Sequence, residues 1–161
     1  MKEISDYNIY QNHALGAHAI WEFCKSYEDF HEHNDAPTLL LLLPLLPIVY
    51  NKRATEAIKS RNFKEGSLFK VITENKDIYM GLQERMENSI ELTFKAVGIA
   101  AAANLIVYDK DTSQLFVNRK FEPQKINHLD YKDIILSSKR IGAWFAQLNL
   151  QEISTLFNIT F

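Results

Sequence analysis

The side chains best suited to chemistry gather at residues 31–35. His31-Glu32-His33-Asn34-Asp35 places two imidazoles and two carboxylates within five residues, a set that suggests a divalent metal activating water in a small hydrolase. The spacing argues against that chemistry. A His-x-His pair does not put both rings on one helix face, as i and i+4 do, and no second cluster offers matching ligands. A solvated loop explains the run better. His13 and His18 lie five apart, on different faces of a helix, and His128 stands alone, so structural roles account for all three. Cys24 is the only cysteine; it sits in Trp21-Glu22-Phe23-Cys24 and reads as core. No Gly-x-Gly-x-x-Gly turn, Walker A loop or Gly-x-Ser-x-Gly elbow occurs. The sequence therefore points away from an enzyme, with no catalytic residue, metal or cofactor assigned.

Charge narrows the remaining classes. Eighteen Lys and Arg stand against 20 Asp and Glu, a formal charge of -2, which gives no general attraction for nucleic acid or anionic lipid. Any DNA contact must be local or supplied by a partner. The best basic cluster, Lys52, Arg53, Lys59, Arg61 and Lys64, is the candidate nucleic-acid contact, although a solvated helix and loop is the plainer reading.

The elements that carry these residues read as a mainly α, α+β protein: one domain over residues 1–161, in three segments. A loose arm over residues 1–12, in which Tyr7, Ile9 and Tyr10 alternate, leads into the first, residues 12–64. A helix over 12–30 follows, capped by Asn12, with Leu15, Ala19, Phe23, Tyr27 and Phe30 at three- or four-residue spacing. Residues 39–49, Leu-Leu-Leu-Leu-Leu-Pro-Leu-Leu-Pro-Ile-Val, carry no polar side chain and are expected to form the axis of the core. The run is too short to span a membrane, and Pro44 and Pro47 predict a kinked helix or two short helices meeting near Pro44.

The second segment, residues 67–120, reads as three short helices followed by a hairpin. Ser67, Asn75 or Asp77, and Ser89 are the expected caps. Residues 105–108 and 114–117 are the strands, with a polar five-residue connection. That order is the order of a winged helix-turn-helix. The recognition position falls on residues 89–103, where Ile90, Phe94, Val97 and Ala101 form the expected inner seam. From 76 to 103 three cations face four carboxylates, so this helix is expected to pack against protein rather than read bases. The third segment, residues 130–161, predicts a long helix over 130–148, with Ile134, Ile135, Ser138, Ile141, Phe145 and Leu148 inward, and a short one over 151–157. Its apolar end, Ile159-Thr160-Phe161, is expected to pair on the hairpin edge or enter a partner. Gly16, Gly81, Gly98 and Gly142 fall inside predicted helices, where they permit close crossings. Trp144, Phe145, Ile159 and Phe161 are the candidate partner contacts, with core as the competing role for Phe145. The opening residues lack an apolar signal region, which points to the cytoplasm.

Three stretches in this order resemble a known family. Asn12-His13-Ala14-Leu15-Gly16 leading into Ile20-Trp21-Glu22-Phe23, then Leu42-Leu43-Pro44-Leu45-Leu46, then Arg140-Ile141-Gly142-Ala143-Trp144-Phe145-Ala146 resemble the middle component of three-component ABC systems. That component is similar to the small subunit of Lamassu-type bacterial defence systems. The resemblance implies a non-enzymatic adaptor between an SMC-like ABC ATPase and an effector, often a nuclease, with DNA reached through the assembled complex. A winged-helix DNA-binding regulator is the alternative.

Overall fold

The computed structural model describes residues 12–125 and 128–161, so the expected arm with Tyr7, Ile9 and Tyr10 lies outside the described residues. The first helix, α1 (His13–Phe30), begins where the sequence places it: Asn12 Oδ1 accepts the Leu15 N–H at 3.0 Å. Leu15, Ala19, Ile20, Phe23 and Cys24 are fully buried because α1 is covered on two flanks. A long helix, α8 (Leu129–Ala146), lies along one flank and α7 (Ile90–Ala102) along the other. The axis of the core is therefore α1, not the leucine run. That run forms two single-turn helices, α2 (Leu39–Leu42) and α3 (Leu45–Val49), which bury Leu42, Leu45, Leu46 and Ile48 but are too short to carry the other elements. Pro44 takes the cap position of α3, and Pro47 falls in its first turn, where a missing N–H leaves no ladder bond unmade.

Backbones touch where α1 crosses α8. A Cβ on Gly142 would lie 2.3 Å from the Phe23 carbonyl oxygen, so only glycine allows this approach. The α1–α7 crossing is nearly as close, since a Cβ on Gly16 would sit 3.0 Å from Ala96 Cβ. This contact decides which face of α7 is buried. Thr93, Ala96 and Ala100 turn inward because only small side chains fit above Gly16, and Ile90, Phe94 and Ile99 are left exposed. The expected seam of Ile90, Phe94, Val97 and Ala101 is thus rotated. Of the other two glycines expected inside helices, Gly98 faces open space and Gly81 is not helical; its φ of +69° forms the left-handed cap of α6 (Leu82–Asn88).

Between α3 and α6 run α4 (Lys52–Ile58), α5 (Glu65–Glu74) and a 3₁₀ turn (Lys76–Ile78). α5 starts two residues before the expected Ser67 cap. Asn62 Oδ1 organises that corner instead, accepting from the Lys64 N–H at 3.0 Å and the Ser67 hydroxyl at 2.6 Å. The hairpin forms as expected, with β1 (Ile106–Asp109) antiparallel to β2 (Gln114–Val117) and Val107 opposite Phe116. Its β2 edge is covered: the Leu115 N–H donates to Pro37 O at 2.9 Å and the Val117 N–H to Glu28 Oε1 at 3.0 Å.

The last helix, α9 (Leu150–Phe157), opens on a capping box between Asn149 and Glu152. The apolar end does not join the hairpin. Gln83 of α6 holds it, accepting from the Thr160 N–H at 2.8 Å and donating to Thr160 O at 3.3 Å, while Ile159 is buried. One continuous core draws side chains from all three segments.

Candidate interaction surface

The residues that first suggested chemistry do not assemble a reactive site. His31 Nδ1 accepts the backbone N–H groups of His33 and Asp35, each at 3.3 Å, and its ring stacks on Tyr27 with centroids 5.4 Å apart. It shapes a loop. Among the described residues, no group of three or more His, Cys, Asp and Glu side chains is placed to hold a metal ion. Cys24 is buried in α1, where desolvation, with Glu28 adding to it, pushes the thiol far above its ordinary range. A thiol held protonated is a poor nucleophile. In the native state Cys24 is expected to resist a water-soluble disulfide reagent, reacting at the rate of an unfolded control only once denaturant is added. Rapid labelling of the native chain would contradict its burial.

The basic cluster is largely neutralised from within. Arg53 pairs with Asp77 at 3.2 Å, Lys59 with Asp133 at 2.9 Å and Arg61 with Glu74 at 2.7 Å. The hydrogen bond to Asp133 raises the Lys59 pKa. Lys52 and Lys64 remain exposed. Three of the five proposed phosphate contacts thus already hold a carboxylate, because α4 packs beside α8 and the 3₁₀ turn.

The four aromatic and apolar candidates for partner contact also change role. Trp144 and Phe145 are fully buried and Ile159 nearly so; only Phe161 keeps accessible surface. For Trp144 the reason is a three-donor clamp along one side of α8 and its C-cap residue. Arg140 Nε donates to Arg61 O at 2.6 Å, Trp144 Nε1 to Asn62 O at 3.0 Å and Gln147 Nε2 to Phe63 O at 2.7 Å. Three successive carbonyls of the α4–α5 connection are thereby satisfied by side chains spaced four and three apart. Trp144 and Phe145 are part of the chain's own core.

The exposed apolar surface lies elsewhere. Phe94 is 48% exposed on α7, with Ile90 and Ile99 on the same helix, and the cross-strand pair Val107 and Phe116 faces outward from the hairpin. The one basic residue of α7, Lys95, is tied to Glu91 at 3.1 Å. Sequence reasoning assigned this helix to protein contact but put Ile90 and Phe94 in its inner seam, because it ranked side chains by hydrophobicity. The small-residue stripe Thr93, Ala96 and Ala100, four and three apart, was the signal that could have located the inner side.

Among the described residues the arrangement defines a mainly helical α+β protein with one antiparallel hairpin, in which α7 carries exposed apolar side chains. The chain belongs to the ABC-three component (ABC-3C) system Middle Component 3 family, whose model matches residues 2–161. No curated protein and no solved structure matches the chain. A middle component of a multi-component system has protein partners, and among the described residues no helix is long and apolar enough to cross a membrane.

Proposed function

We propose that this chain is a non-enzymatic adaptor that links an SMC-like ABC ATPase to an effector, often a nuclease, in a bacterial defence assembly similar to Lamassu-type systems. One observation carries the reading: α7 leaves Ile90 and Phe94 exposed side by side on one edge, and Ile99 on the other, large apolar side chains that a partner surface would cover. The same helix disfavours the winged-helix regulator. Base edges require Arg, Lys, Asn or Gln, whereas here Lys95 is bound to Glu91 and the rest is apolar. Co-expression with the ATPase and effector encoded alongside it tests the adaptor role. The wild-type chain is expected to co-purify with the ATPase, and Ile90→Glu with Phe94→Glu is expected to abolish co-purification while leaving the circular dichroism spectrum unchanged. A chain that stays monomeric beside its ATPase would refute the proposal, as would a double variant that still assembles.

A further inference from the structure

One group of cations that no carboxylate holds gathers on a face the sequence did not single out. Lys25 of α1, Lys125 of the connection before α8 and Lys132 of α8 line one recess of about 610 Å³, whose apolar lining includes Trp21, Ile135 and Leu136. None of the three lysines forms an ion pair; Lys25 instead lies over the Trp21 ring, 4.9 Å from its centroid. Two carboxylates share the recess, Glu22, within 3.8 Å of His18, and Glu122.

Eight residues further along α8, about 12 Å at the helical rise, the pattern repeats with an aromatic floor. Arg140 lies over the Phe63 ring at 4.8 Å and Lys139 at 5.9 Å, again without a carboxylate partner. Phe30 stacks on Phe63 with centroids 5.3 Å apart and is itself 43% exposed. Leu136 joins the two halves, lining the recess and accepting a hydrogen bond from Arg140 Nη1 at 2.9 Å. Desolvation lowers the Arg140 pKa. The recess holds three cations against two carboxylates, and Lys139 and Arg140 add two more cations beyond it, on a chain whose overall charge is -2.

We infer that the α1–α8 face from Lys125 to Phe30 binds single-stranded nucleic acid, its unpaired cations tracking the phosphates and the exposed Phe30 ring extending the Arg140–Phe63 pile under a base. Unpaired cations attract phosphates whatever the sequence, and aromatic faces take unstacked bases but not the bases of an intact duplex. This goes beyond the adaptor reading and does not depend on it, since the sample is the isolated full-length chain.

The test is fluorescence anisotropy with an end-labelled oligothymidylate at roughly 50 mM salt. Binding is expected to weaken steeply as salt rises. Lys132→Gln with Lys139→Gln should lower affinity and flatten the log–log salt slope by about 1.4, about 0.7 for each lysine removed. Phe30→Ala should weaken binding about fivefold or more without changing the slope. Lys52→Gln with Lys64→Gln, away from this face, should change neither. All these positions are exposed, and circular dichroism confirms that each variant is folded. No binding at low salt, or binding that ignores the α8 lysines, overturns the inference. Displacement by polyglutamate of matching charge, at the same concentration as unlabelled oligonucleotide, also overturns it, because the face would then receive acidic protein segments instead.

Discussion

Gly142→Ala is expected to destabilise the chain by about 3 kcal/mol or more, at or above the upper end of ordinary overpacking costs. The added Cβ would sit 2.3 Å from the Phe23 carbonyl oxygen, 3.0 Å from its carbonyl carbon and 3.1 Å from its Cα. Backbone atoms of a buried helix cannot swing aside as a side-chain tip does, so α1 and α8 must separate along their length. That separation loosens the ring contacts built across the crossing, including Phe23 against Phe145. For a chain of this size the midpoint should fall by roughly 6–12 °C. Gly98→Ala gives the opposite sign. It is mid-helix in α7 with nothing within 4 Å of an added Cβ, so it should gain about 0.5–1 kcal/mol by stiffening the unfolded chain. Urea unfolding of both variants beside wild type measures the pair. A Gly142→Ala midpoint equal to wild type would show that the two helices do not approach this closely.

Local signals in the sequence were legible wherever a backbone group or a period dictated the answer. Asn12 as a cap, the break at Pro44, and the strand pair after residue 104 follow from side-chain oxygen, a missing amide and a switch to period two. What could not be read depends on which surfaces meet. The inner face of α7 was misplaced because hydrophobicity favours Ile90 and Phe94, whereas the close approach of Gly16 selects Ala96 and Ala100. The pairing of the basic cluster was hidden for a similar reason: Asp133 lies 74 residues from Lys59, and Glu74 and Asp77 follow Arg61 and Arg53 in sequence by 13 and 24. Nothing local announces such ion pairs. The clamp of Arg140, Trp144 and Gln147 on the 61–63 carbonyls is equally long-range, and it turns an apparently available tryptophan into part of the core.

Phe145→Ala is expected to cost about 3–5 kcal/mol, the range for truncating a fully enclosed aromatic ring. Its ring stands edge-on to Phe23, with centroids 5.7 Å apart, and to Phe157, at 5.5 Å, so one side chain ties α1, α8 and α9 together. Folded domains hold only about 5–15 kcal/mol in reserve. The loss would therefore consume a large share of it, and the thermal midpoint should drop by roughly 6–20 °C. Phe145→Leu keeps most of the volume and should cost under about 1.5 kcal/mol, although the edge-to-face contacts go with the ring. The measurement also separates the two roles the sequence left open for this residue. A structural ring lowers stability in the isolated chain, before any partner is added; a docking ring would leave the midpoint intact and weaken only assembly. The complete enclosure of Phe145 demands the first result, and a Phe145→Ala chain as stable as wild type would mean that this aromatic triad does not hold α9 in place.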